Sequence, residues 1–371
     1  MVRVQVLKKT IPLLLIALLF SLVPGCSKSS AEAIVPIELV PQGVTSLAHI
    51  NLGQILNDDD LTGIFDVLPM EEDAPQSFDE AMEELKEELG IDIRDFDEIL
   101  YFAEDQAVSA APAASFGDGF DGELFQDVSI DLQTVILTGV IEEDGFIAAV
   151  GESLEEVLDP TDYKGYQLYS GPRQEVAVAF LSTTAVVIGI PEMVKSVIDV
   201  KVGDESPLSG RLLDEYSQLD EALIKSVAIA SPAASEDALR EAPGLLPIPL
   251  DLDALADIDI SKSTFVKTGD SITLNSETCF NNTEAVDTME ALFGILKLLP
   301  MMMPFADGDS QESEIPEEGM ELLVDLLDRF ETESTDQCFT VSFEITLTEL
   351  EDLIEQLVQI ESEAVGPGEV Y

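Results

Sequence analysis

Tryptophan is absent from the 371 residues, histidine occurs once, cysteine three times, and lysine and arginine together 17 times. Each scarcity removes a class of chemistry. A Ser-His-Asp relay would have to use His49, and no G-x-S-x-G elbow accompanies it. Zinc held by several histidines and cysteines is excluded by counting, so no metal site of that kind is expected. There is no G-x-x-x-x-G-K-[ST] loop, and no G-x-G-x-x-G run follows a strand, so no phosphate cofactor is expected either. Sugar clefts want aromatic platforms, and aromatic residues make up only 6% of the chain. Carboxylate pairs are so abundant that none of them argues for glycoside hydrolysis. The shortage of bases excludes nucleic acid as a partner, because phosphate binding needs a basic surface.

What the chain has in excess is acid: 75 Asp and Glu give a formal charge of −58. Residues 1–25 hold three of the bases and no acid, so without them 14 bases face 75 acids, a charge of −61. A chain so charged could be too polar to fold, but 46% hydrophobic residues supply a core, and the acids must decorate its surface. Adaptation to salty water, divalent-cation binding and a lineage-wide acidity of exported proteins are all consistent with it.

The N-terminus reads MVRVQVLKKTIPLLLIALLFSLVPG, with Arg3, Lys8 and Lys9 before an apolar run from Ile11 to Leu22. This is the charged, apolar, small-residue order of a signal peptide, and the run is shorter than the roughly 20 residues of a spanning helix. Val23-Pro24-Gly25-Cys26 resembles the lipobox of bacterial lipoproteins. The resemblance implies cleavage before Cys26 and a diacylglycerol on its thiol, with palmitate among the acyl chains. It also implies an extracytoplasmic, membrane-anchored protein. Ser27 is not the aspartate that favours inner-membrane retention in such lipoproteins, which points to the outer membrane where the organism has one. Ser27 to Ser30 begins the tether.

Two halves share one pattern. VTSLAHINL (44–52) matches SVAIASPA (226–233) as a first strand, and QTVILTGVI (133–141) matches SITLNSETCF (271–280) as a strand feeding a helix. In the first such helix Ile147, Val150, Leu154 and Val157 form the apolar stripe, and in the second Val286, Met289, Phe293 and Leu296 do, behind an Asn281 cap. Each half returns to strand and closes on a helix, one opened by Pro191 and the other by a Thr348/Glu351 capping box. The fold class expected is therefore α+β: two similar tandem units, each a mainly antiparallel sheet with helices on one face. The expected organisation is a signal peptide over 1–25 and a lipidated cysteine with tether over 26–36. A first unit follows over 37–225, a second over 226–360, and a disordered tail over 361–371. From Ile37 to Ile360 the layout, with DPTDYKGYQLYSG inside it, resembles an uncharacterised family of exported prokaryotic proteins built from tandem α+β units. That resemblance implies no chemistry.

Few residues are candidates for a site. His49, in a strand, reads as structural. The acidic loops at Asp118 and Asp307 cluster oxygen donors without the D-x-[DN]-x-[DN]-G spacing, so they read as solvated, with weak calcium binding left open. With Cys26 committed to lipid, Cys279 and Cys338 remain, on strands that the repeat places side by side. A disulfide is expected, and two buried free thiols are the alternative. Met301, Met302, Met303 and Phe305 read either as a helix end tucked into the core or as the lining of an apolar ligand groove. Together these features predict a non-catalytic, lipid-anchored envelope protein that meets the membrane through its lipid and acts as an interaction or structural module, with an envelope protein as partner. Binding of a small apolar ligand or divalent cation is the alternative.

Overall fold

Short β-branched runs punctuated by glycine and polar turns give twelve strands among the described residues, every neighbouring pair antiparallel. The computed structural model describes residues 34–64, 75, 77–104, 134–154, 156–173, 175–229, 257–302 and 324–364. The first half contributes β1 (Ser46–Ile50), β2 (Phe96–Ala103), β3 (Thr134–Gly139), β4 (Asp159–Tyr163), β5 (Tyr166–Ser170), β6 (Ala177–Ser182) and β7 (Ala185–Gly189). The second contributes β8 (Ile224–Ile229), β9 (Ile258–Thr268), β10 (Ser271–Phe280), β11 (Phe330–Ser334) and β12 (Cys338–Thr346). Helices are α1 (Leu52–Leu56), α2 (Asp59–Gly63), α3 (Phe78–Leu89), α4 (Glu143–Ser153), α5 (Pro191–Val202), α6 (Arg211–Gln218), α7 (Thr283–Met302) and α8 (Leu347–Ala364).

The expected α+β class and antiparallel pairing are present, and the two halves share one sheet. Its order is β11-β12-β10-β9-β8-β1-β2-β3-β7-β6-β5-β4. Read outward from the β1–β8 seam, β1-β2-β3-β7-β6 on one side mirrors β8-β9-β10-β12-β11 on the other. The expected unit boundary at 225/226 falls inside β8, the strand that makes the seam.

Alternation sorts the side chains onto two faces. The front carries Leu47, Leu100, Phe102, Ile136 and Val187, which pack with Val194, Val197 and Ile198 of α5 and Leu212 and Tyr216 of α6. The back of the first half carries Ile99, Val178 and Val186 against Met82 of α3 and Phe146 of α4. In the second half α7 packs through Ala285 and Val286 on Phe280 and Phe339, while α8 packs through Leu347, Leu350 and Ile354 around Ile272 and Ile345. All four of those sheet residues point to the back. The first half is therefore flanked by helices on both faces and the second by α7 and α8 on the back. The repeat diverges at its closing helix: α5 goes to the front, α8 to the back. Among the described residues no helix covers the front of β10 to β12, where Asn275, Glu277, Thr340 and Ser342 are half-exposed.

Local chemistry explains the boundaries. Asn282, not Asn281, caps α7, its Oδ1 accepting from Ala285 N at 2.8 Å, because Asn281 N is already given to Asp257 O. The capping box of α8 is Thr346 and Glu349, not Thr348 and Glu351. Glu349 N donates to Thr346 Oγ1 at 3.2 Å and Thr346 N to Glu349 Oε2 at 2.9 Å. The helix starts directly off the end of β12, two residues earlier than expected. Ile147, Val150 and Leu154 face the core as expected, whereas Val157 lies beyond α4 and is 77% exposed. DPTDYKGYQLYSG is a hairpin, β4 to β5, turning on Lys164 and Gly165 at φ 54° and 86°. Tyr163 donates to Asp199 at 3.1 Å, and Lys164 reaches both Asp199 and Asp204, so the hairpin tip is pinned to the end of α5.

Candidate functional site

Lysines sit inside strands at the front of the seam and beside it. β8 (IKSVAI) and β9 (IDISKSTFVKT) each carry a lysine where the pleat faces forward. Lys225 lies directly opposite His49 in the β1–β8 register. Its ammonium sits 4.4 Å from the centre of the Tyr216 ring, donated by α6. His49 Nε2 lies 3.7 Å from Glu98 Oε2, and His49 Nδ1 is buried with no hydrogen-bond partner. The imidazole of His49 beside it lowers the Glu98 pKa below its ordinary value, against the opposing effect of burial. Burial, helped by the charge of Glu98, raises that of Tyr216.

One strand further out, Lys262 is held between Glu277 at 2.5 Å and Glu215 at 3.3 Å. Burial works against its ammonium, but the two carboxylates outweigh it and raise its pKa. Arg211 forks onto both oxygens of Asp259, at 2.7 and 2.5 Å, which fixes the start of α6 to β9. Next to Glu277, Cys279 and Cys338 occupy facing positions of β10 and β12 and form the disulfide expected from the sequence, with Cα atoms 3.9 Å apart. Cys279 Sγ lies 3.8 Å from Glu277 Oε1, and potential ligand atoms of Glu277, Cys279 and Cys338 all fall within 4.8 Å of one another.

The front of the sheet thus carries two groups: at the seam His49 with Glu98, Lys225 and Tyr216, and farther out the bridge of Cys279 and Cys338 beside Glu277 and Lys262. Of these, Glu98, Tyr216, Lys225, Lys262 and Glu277 were not singled out by the sequence. Lys225 and Lys262 carried the readable signal, since a charge in a half-buried strand needs a partner. Met301 and Met302 form the last positions of α7; Met303 and Phe305 lie outside the described residues, as do Cys26, the signal peptide and the acidic loops at Asp118 and Asp307. Before the methionines, Phe293 of α7 meets Phe330 and Phe339, and Phe330 meets Phe343, at centroid distances of 4.8–6.0 Å. Among the described residues no helix is long and apolar enough to cross a membrane.

No protein-family profile and no curated protein sequence matches this chain. Among solved structures it is similar to TP0453 of Treponema pallidum. Crystal form III aligns with 7% identity and a TM-score of 0.41, over 88% of this chain and 99% of that one. Form I gives 9% and 0.38 over 88% and 98%, and form IV 6% and 0.40 over 87% and 97%. A likeness at that level transfers no chemistry.

Proposed function

We propose that this chain is a lipid-anchored protein of the cell envelope that works by binding or bracing rather than by catalysis. His49 carries the second half of that reading. Its Nε2 faces Glu98 and its Nδ1 has no partner, so neither nitrogen holds the proton of a nucleophile. The other polar groups of the seam are spent on one another as cross-strand and helix-to-sheet pairs, the arrangement of a brace between two halves. The anchor rests on Val23-Pro24-Gly25-Cys26 after a short apolar run. One lipid chain binds a membrane only marginally, and a diacylglyceryl cysteine supplies the second chain that firm attachment needs.

The test joins both halves of the reading. Labelled palmitate should enter the native chain but not Cys26→Ser, and only the former should sediment with membranes. Purified protein should turn over none of a panel of esters, phosphoesters, peptides and glycosides. Equal labelling of both chains removes the anchor. Turnover that His49→Ala abolishes removes the non-catalytic reading. A second reading, a small apolar ligand at Met301, Met302, Met303 and Phe305, draws on the aromatic cluster around Phe293, which would extend such a groove toward the sheet. Lipid that co-purifies with the native chain and is lost on Met301→Asp would favour it.

A further inference from the structure

We propose that the Cys279–Cys338 bridge is the oxidised form of a metal site, and that reduction converts it into a two-thiolate, one-carboxylate ligand set for a zinc-like divalent cation completed by Glu277. The geometry is close to what such an ion needs. Zinc–sulfur bonds of about 2.3 Å and zinc–oxygen bonds of about 2.1 Å at tetrahedral angles separate sulfur from oxygen by about 3.6 Å. Cys279 Sγ and Glu277 Oε1 already stand 3.8 Å apart. The same bonds separate two sulfurs by about 3.8 Å, which side-chain rotation at Cys279 and Cys338 supplies once the bridge opens.

Three further features support the site. β10 and β12 are paired over nine successive positions from Ser271↔Thr346 to Cys279↔Cys338, so the ladder keeps the sulfurs together after reduction. Glu277 is engaged by Lys262, but Lys262 also holds Glu215, so turning Glu277 toward an ion leaves no buried ammonium unpaired. Cys279 packs against the front core, whereas Glu277 and Cys338 are only half-buried on the part of the sheet front that no described helix covers, which leaves a fourth coordination position open to water. Soft sulfur donors select zinc-like ions over calcium or magnesium.

The chemistry balances. A dithiol reductant gives two electrons and two protons to the bridge, breaking the S–S bond to yield two thiols while the reductant itself becomes a disulfide. The cation then displaces the two thiol protons to solvent and takes both thiolates and the Glu277 carboxylate.

The test uses the chain with Cys26→Ser, so that Cys279 and Cys338 are the only thiols, and cobalt(II) as the reporting ion. The reduced protein should keep its far-ultraviolet circular dichroism and bind one cobalt per chain with a thiolate-to-metal charge-transfer band, which zinc then bleaches. The oxidised protein and a Cys338→Ser variant should show no such band. Glu277→Gln should bind at least about tenfold more weakly, the loss that removing even an outer-shell partner brings. A reduced chain that stays folded without the band overturns the proposal. So does a Glu277→Gln affinity equal to that of the parent, or a reduced chain that unfolds and is not refolded by the metal.

Discussion

At the scale of single residues, the tightest approach to backbone falls where glycine has a hydrogen atom and any other residue a Cβ. Gly139 ends β3 at φ 148°, and a Cβ there would lie 2.1 Å from Asp95 O and 2.6 Å from Phe96 Cα. Gly203, at φ 81° after α5, meets nothing within 4 Å. Gly139→Ala should therefore cost well over about 2 kcal/mol, and Gly203→Ala only the left-handed penalty of about 1–2 kcal/mol. Urea midpoints of the two variants separate these outcomes. A second residue sets an acid limit. Asp92 accepts from Arg94 and Lys86, and chiefly the Arg94 bond holds its carboxyl at about 2, below the ordinary 3.8. Its contribution is complete above the unfolded value and is lost as pH falls from about 4 to about 2. The urea-midpoint difference between native chain and Asp92→Asn should shrink across that window and stay constant above it.

At the scale of elements, strands and helices were legible because alternation and helical spacing act over neighbouring residues. Pro191 at the first turn of α5 and the apolar faces of α4 and α7 follow from that short range. The caps were misplaced by one and two residues. A cap depends on where the backbone stops pairing with a distant partner, here Leu347 N with Asp270 O and Asn281 N with Asp257 O. Thr346→Ala should accordingly cost about 1 kcal/mol and Thr348→Ala a few tenths at most, measured by thermal unfolding. A lysine in a half-buried strand announces that it needs a partner, but which acid it takes was illegible for the same reason. Lys267, for example, holds Asp58 and Asp60, the first of them 209 positions away. Burial opposes that ammonium, and the pair of aspartates overcomes it and raises its pKa. Cys279 and Cys338 were the exception, since their strands' adjacency followed from the repeat, while Glu277 beside them had no signal that set it apart from 74 other acids.

At the scale of the molecule, charge and covalent closure set the stability. The bridge closes a loop of 59 residues and should stabilise by roughly 4 kcal/mol in the chain-entropy model, so reduction lowers the melting temperature. A chain at −58 stores repulsion that counterions relieve within about 8–10 Å. Sodium chloride should raise the melting temperature, and calcium chloride at equal ionic strength should raise it equally if screening is the whole effect. An excess for calcium would assign a role to the acidic loops. The mirrored strand order was legible as a repeated pattern; the merging of both halves into one sheet was not, because the seam is made by β1 and β8, whose sequences carry no mark of pairing with each other.

That seam has a mechanical consequence. A chain held to a surface by its N-terminus receives any pull through the residues just before β1, which lies in the interior of the sheet rather than at its edge. Five residue pairs with β2 on one side and five with β8 on the other flank that strand along its whole length. Traction along its axis therefore loads both ladders in shear, with their hydrogen bonds sharing the force, instead of unzipping them one by one. Drag on such a protein would be borne by an interior strand paired on both sides, and α8 at the far end of the fold would stay slack.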